Sequence, residues 1–307
     1  MNYYVKSGLT TTLFLSQITF TNAALNIVTC EPEWAALAQE LAGDKAKVTS
    51  ATTALQDPHH VQVRPSLIAK MRSAQLLICT GAELEIGWLP VLVRDAGNSQ
   101  IQEGKLGYFE ASRYVALLEK PQRLDRAEGD VHAFGNPHIQ LNPYNITKIS
   151  TALAQRLVEV DPENTTYYQQ RAQQFHQRWQ NAIKRWEQEA KVLKGVPIVV
   201  QHQAYPYLNQ WLGFNQVATL EPKPGIEPSA PYLNQVLQRV KNTAPKIIIR
   251  AAYNSPRASN WLASQTKIPV VVLPFTVGGN EKARDLFTLF DETIVQLKAG
   301  LHSTASK

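Results

Sequence analysis

The stretch DPENTTYYQQRAQQFHQRWQNAIKRWEQEAKVLKG, residues 161–195, decides how the rest of the chain is read. Asp161 supplies an N-cap, and Pro162 suits a first helical position, where no donor is lost. Tyr167, Phe175, Trp179, Ile183 and Trp186 then recur near helical spacing until Gly195 closes the run. A helix of about 30 residues spans about 45 Å, longer than a small domain. Sustained a/d heptads are missing, which argues against a coiled coil. The spacing predicts a rigid strut between two lobes.

On both sides of the strut, strand-like and helix-like segments alternate. Upstream, an apolar run at 25–30 is followed by helical spacing at 32–43 and a short strand at 47–51. A helix opens at Arg64-Pro65-Ser66 and runs to 71, followed by a strand at 75–79 and a helix at 88–93. An amphipathic helix at 146–158 leads into the strut. Downstream come strands at 197–200, 246–250 and 268–273, with helices at 205–212, 232–241, 256–265 and 285–298. Strands separated by single helices imply parallel sheets of βαβ type. The expected fold class is α/β, with two βα lobes (25–160 and 196–307) joined by the long helix (161–195). No internal repeat of fixed period and no low-complexity tract is present.

With 307 residues the chain has room for two domains, and 44% hydrophobic against 18% charged content marks it as globular. The net charge is +6, but Lys and Arg are scattered and form no basic run interleaved with aromatics, which argues against nucleic acid as a partner. Lys6, the mildly apolar residues 9–20 and the small residues Thr21-Asn22-Ala23-Ala24 read as a secretory signal peptide over 1–24, cleaved after Ala23 or Ala24. Ile27-Val28-Thr29, ahead of the first Cys, lacks the small residues of a lipoprotein cleavage site. A free periplasmic protein is therefore expected, not an anchored one. No other apolar run approaches the ~20 residues that span a bilayer.

The two cysteines, Cys30 and Cys79, each end a strand-like run. Neighbouring parallel strands would bring them within disulfide reach in an oxidising compartment. Both also suit the role of small buried hydrophobes, and the sequence leaves the choice open.

The chemistry lies in the histidines. Of seven in the chain, five fall in or beside three separate segments: Asp57-Pro58-His59-His60, Gly135-Asn136-Pro137-His138 and Val200-Gln201-His202-Gln203. Neutral imidazole is the commonest protein ligand for zinc and related metals, and a Pro-His pair presents the ring from a stiff backbone. Three such rings on separate loops are what a preorganised metal site requires. His176 and His302 are expected at the solvated surface.

These segments carry a family resemblance. Asp57-Pro58-His59 with Arg64-Pro65-Ser66, Gly81-Ala82-Glu83-Leu84-Glu85 with Trp88-Leu89, Asn136-Pro137-His138 through Pro143, His202 through Leu208, and Glu221-Pro222-Lys223-Pro224-Gly225 occur in order. Together they resemble the periplasmic solute-binding proteins of zinc and manganese ABC importers, the ZnuA/TroA-like group. The likeness covers almost everything after the leader. It implies His59 and His138 from lobe one and His202 from lobe two as metal ligands, with the ion in the inter-lobe cleft. It also implies a structural role for Glu83 and Glu85 at a helix entry.

The family's usual fourth ligand is an acidic residue just after the last strand of lobe two. Here that place reads Val272-Leu273-Pro274-Phe275-Thr276-Val277, without a carboxylate. Water is the first candidate for the fourth position and His132 the second, followed by His60 and Asp57. Imidazole suits zinc, whereas manganese prefers carboxylate oxygen, so Zn(II) is the expected cargo and Mn(II) the alternative. The partner implied is the membrane permease of an ABC importer, served by a monomer. The flexible His-rich tract of some zinc members is absent, since 97–126 contains no histidine. A zinc-dependent hydrolase is the rival from another class, but no HExxH, GxSxG or P-loop pattern occurs. An adhesin on the same fold finds no support in the sequence. The long helix predicts limited hinge opening.

Overall fold

A computed structural model of the chain describes residues 24–121 and 129–305, together with Met1. The expected signal peptide therefore lies almost wholly outside the described residues. Lobe one contains β1 (Leu25–Thr29), α1 (Pro32–Ala42), β2 (Ala46–Ser50), α2 (Pro65–Arg72), β3 (Leu76–Cys79), α3 (Leu89–Ala96), β4 (Tyr108–Glu110) and α4 (Pro143–Val160). The long helix is α5 (Thr165–Ala190). Lobe two contains β5 (Pro197–Val200), α6 (Pro206–Leu212), β6 (Asn215–Thr219), α7 (Ala230–Thr243), β7 (Ile247–Ala251), α8 (Arg257–Thr266), β8 (Val270–Leu273) and α9 (Leu286–Ala305).

Each lobe holds a four-stranded parallel sheet, in the orders β2-β1-β3-β4 and β6-β5-β7-β8. The two orders are the same topology used twice, although the sequence shows no repeat. Burial pattern, not residue identity, carries the symmetry. The central strands are the legible ones: β3 is buried at every position and β7 begins with three consecutive Ile. Strands β4 and β6 escape the sequence reading. Both are sheet edges, part-exposed, and β4 has only three residues. The other two edges, β2 and β8, are legible because one alternates and the other is a run of apolar residues; β4 is too short to show either pattern, and β6 (Asn215–Thr219) shows neither.

Helix α5 is shorter than the 161–195 expected, because Pro162–Asn164 and Lys191–Leu193 form 3-10 turns at its ends. It is also more than a strut. Tyr168, Phe175, Trp179, Ile183 and Trp186 are all buried, in a core that runs without a break from lobe one to lobe two. Trp179 and Trp186 stack edge to face at 5.0 Å, and Trp186 lies 4.9 Å from Phe290 of α9. Their indole nitrogens donate to the Pro143 carbonyl of α4 and to Asp291 of α9. Each large ring withdrawn from water contributes on the order of 1.5–3 kcal/mol, and that gain is shared between the lobes.

Side chains also stitch the seam. Tyr207 of α6 donates to the Asn136 carbonyl at 2.6 Å and accepts from the Leu118 amide at 3.0 Å. Cys30 and Cys79 are joined by a disulfide across the ends of β1 and β3. This settles the alternative the sequence left open.

Candidate metal centre

The three anchored histidines sit at strand ends or on the loops that follow them, and each is held by a different device. Between β2 and α2, the Trp88 indole donates to the Pro58 carbonyl at 2.8 Å and fixes the loop. Asp57 Oδ1 then accepts from the His59 amide at 3.0 Å and lies 2.7 Å from His59 Nδ1. Ahead of α4, Asn136 Oδ1 accepts from the His138 amide at 3.0 Å, while its Nδ2 donates to the Gln203 carbonyl of lobe two at 2.7 Å. At the end of β5, His202 Nδ1 lies 2.7 Å from Glu221 Oε2. Glu221 is itself fixed by the Gly225 amide at 2.9 Å. Gly225 adopts φ +75°, a conformation that favours glycine, beside the Asp130 carboxylate.

The result is a near-equilateral triangle. Ring centroids are 5.3 Å apart for His59–His138, 5.6 Å for His59–His202 and 5.4 Å for His138–His202. One nitrogen from each ring lies within 4.8 Å of the other two, and all three residues are buried. A carboxylate on Nδ1 of His59 and of His202 holds the proton there and turns Nε2 toward the centre, as in carboxylate–histidine–metal arrangements. Burial, followed by the neighbouring imidazoles, drives the His138 pKa well below the ordinary histidine value. His138 is therefore a neutral donor, the form a metal requires.

The sequence candidates for a fourth position separate cleanly. His132 Nε2 is 3.3 Å from His59 Nε2. That is about the separation of two imidazole nitrogens on a tetrahedral ion with bonds of about 2.0–2.1 Å. His132 does not belong to the mutual set of the other three; it stands at the mouth, beside a cavity of about 120 Å³. Burial lowers its pKa to about 4, with His59 and His202 adding to the shift. Its loop is tied by the Ala133 amide to Glu83, so Glu83 does more than shape a helix entry. His60 turns outward, mostly exposed and 3.6 Å from Asp130. Asp57 is committed to His59 Nδ1.

Where the carboxylate is missing, Phe275 forms a wall. Its ring lies 5.6 Å from His138 and packs against Tyr205 and Tyr253, with the backbone at φ +69°. A bulky residue in the left-handed region is strained, and such strain is tolerated where the surroundings over-determine it. Next to it, the Thr276 hydroxyl donates to Glu33 of lobe one.

Glu221 is the functional residue the sequence reading missed. It was quoted as part of a loop motif, but only the fold brings it to His202. His176 departs from its expectation. It is half-buried between α4 and α5, with Nε2 2.9 Å from Ser150 Oγ. His302 is exposed on α9, as expected.

The family model described as zinc-uptake complex component A, periplasmic, matches residues 27–300. The chain belongs to this family. It is thus a metal ABC transporter solute-binding protein, working with a membrane permease. Among curated relatives, the high-affinity zinc uptake system protein ZnuA of Bacillus subtilis (strain 168) is 24% identical over 266 residues, covering 85% of this chain and 81% of its own. The manganese ABC transporter substrate-binding lipoprotein PsaA of Streptococcus pneumoniae is 23% identical over 262 residues, covering 82% and 80%. Similar folds include a crystal structure of ZnuA, with a TM-score of 0.73 at 21% identity over 91% of this chain and 98% of that one. A laminin-binding adhesin of Streptococcus agalactiae also shares the fold, with a TM-score of 0.72 at 22% identity, covering 89% and 100%. The fold alone therefore does not select the cargo.

Proposed function

We propose that this protein captures Zn(II) in preference to Mn(II) between its lobes and hands it to the permease of an ABC importer. His59, His138 and His202 are the ligands, with His132 or a water molecule completing the tetrahedron. One observation carries this reading: the three nitrogens converge with no carboxylate among them, and Asp57 and Glu221 lie against Nδ1 atoms as supports. An all-imidazole donor set suits zinc, whereas manganese favours carboxylate oxygen. The relatives named for manganese give the second reading its standing.

The protein acts by capture and handover. Neutral imidazoles take up the ion, and protons compete for the same nitrogens as pH falls. The continuous core along α5 and the Tyr207 seam favour small shifts of one ligand loop over a wide opening of the lobes. The leader over 1–24 would direct the chain to the periplasm, where it would work as a free monomer.

The deciding experiment is competitive titration of the mature protein with zinc and manganese, a chelator setting free metal. Support is one zinc bound at nanomolar or tighter affinity that manganese does not displace. A preference for manganese would overturn the zinc reading, and failure to bind either ion would overturn metal capture itself.

A further inference from the structure

Away from the histidines, a second group of donors is buried in lobe one. Cys30 Sγ, Cys79 Sγ and a Glu85 carboxylate oxygen lie within 4.8 Å of one another. Both cysteines are fully buried, and Glu85 is 2% exposed. Glu31, 3% exposed and next to Cys30, lies beside Glu85. Thr80 links the two acids, donating its hydroxyl to Glu31 at 3.0 Å and its amide to Glu85 at 2.7 Å. The other Glu31 oxygen, Oε1, is buried without a partner.

Two buried carboxylates side by side are costly without a cation, and among the described residues neither forms an ion pair. Burial raises Glu85 to about 7 and lifts Glu31 well above the ordinary carboxylate range, so the pair holds a proton where a cation would serve. The place itself is suited to a ligand. β1 and β3 are adjacent, and the chain leaves them toward opposite edges of the sheet, which makes their C-terminal ends a topological switch point. A cavity of about 410 Å³, lined by Glu83, Glu103 and Glu110, reaches Glu85 from the surface.

We propose that reduction of the Cys30–Cys79 disulfide turns this switch point into a second site for a thiophilic divalent cation of the zinc class, with Cys30, Cys79 and Glu85 as donors and Glu31 as the acid beside them. A dithiol supplies the reduction: its two hydrogens pass to the two sulfurs, the S–S bond breaks, and the dithiol leaves as its own disulfide. The cation then displaces both thiol protons and the proton held between the acids. With metal–sulfur bonds of about 2.3 Å the sulfurs part to roughly 3.8 Å, a small movement from their bonded position. Disulfide and metal therefore exclude each other. The oxidised chain carries one ion, in the inter-lobe cleft, and the reduced chain carries two.

The test uses cobalt(II) as a spectroscopic probe on the full chain. One portion stays oxidised, and the other is unfolded, reduced with a phosphine and refolded without oxygen. The expected result is a second equivalent of cobalt in the reduced portion only, with near-ultraviolet thiolate-to-cobalt charge-transfer absorption. Glu31→Gln with Glu85→Gln should weaken that second equivalent by about tenfold or more. The oxidised variant, still binding one cobalt, is the control for folding. Where the variant does not fold, reoxidation of the reduced wild type should slow at least several-fold when zinc is added. Equal stoichiometry in both states, absence of the charge-transfer band, failure of the reduced chain to refold, unchanged affinity in the folded variant or reoxidation indifferent to zinc would each overturn the proposal. None of these outcomes bears on the histidine site, whose ion gives no thiolate band.

Discussion

Glu221 Oε2 lies 2.7 Å from His202 Nδ1, across nineteen residues of chain, and sets which nitrogen of that ring faces the cleft. Asp57 holds the same relation to His59 at 2.7 Å. Supports of this kind fix the tautomer and the ring angle and raise the basicity of the donor. Glu221→Gln and Asp57→Asn should each weaken metal binding by about 10–100-fold with the fold intact. Chelator competition measures this, and an unchanged dissociation constant in either variant would remove that carboxylate from the site.

Truncation of a ligand should cost more than loss of its support. His59→Ala, His138→Ala and His202→Ala are each expected to lose metal affinity beyond the carboxylate variants. His132→Ala distinguishes the two candidates for the fourth position. A substantial loss assigns the position to His132, and an unchanged constant assigns it to water.

Phe275 stands where a carboxylate would complete an oxygen-richer site, 5.6 Å from His138. Phe275→Asp should narrow the preference for zinc over manganese, because carboxylate oxygen favours the harder ion. The readout is the ratio of the two dissociation constants in one buffer. A ratio that stays put would mean the aromatic wall has no part in selection.

Glu33 accepts from the Thr276 hydroxyl across the lobes, and burial raises its pKa to about 7. A folded value above the unfolded one stabilises below the unfolded pKa of about 4.3, and that stability is lost as pH rises through about 7. In metal-free protein, Glu33→Gln should therefore be nearly neutral at low pH and relatively stabilising above pH 7, by about 3–4 kcal/mol or roughly 7–14 °C in Tm. Thermal unfolding of both proteins at two pH values checks the sign; a difference independent of pH would contradict it.

The buried Trp179 joins α5 to both lobes. Trp179→Ala should cost about 3–5 kcal/mol and lower a single unfolding transition, because the core is continuous. Two separated transitions in denaturant would show that the lobes unfold independently.

What was legible in the chain follows from local rules. The central strands are read from apolar runs, α5 from its aromatic spacing, and His59 and His138 from the proline that precedes each. Strands β4 and β6 were not legible, since β4 has only three residues and β6 has neither an apolar run nor an alternating pattern. Nor was the burial of His176, which depends on α4 lying against α5.

By itself the sequence determined which side chains are able to bind a metal and on which kind of element each sits, because propensity, proline and hydrophobic period act over a few residues. Only the tertiary structure decided which of them meet. Glu221 reaches His202 because β6 pairs beside β5, and Cys30 reaches Cys79 because β1 pairs with β3. His60, adjacent to His59 in sequence, faces solvent instead. Distance along the chain carries no information about such encounters; strand order and the packing of the lobes on α5 set them.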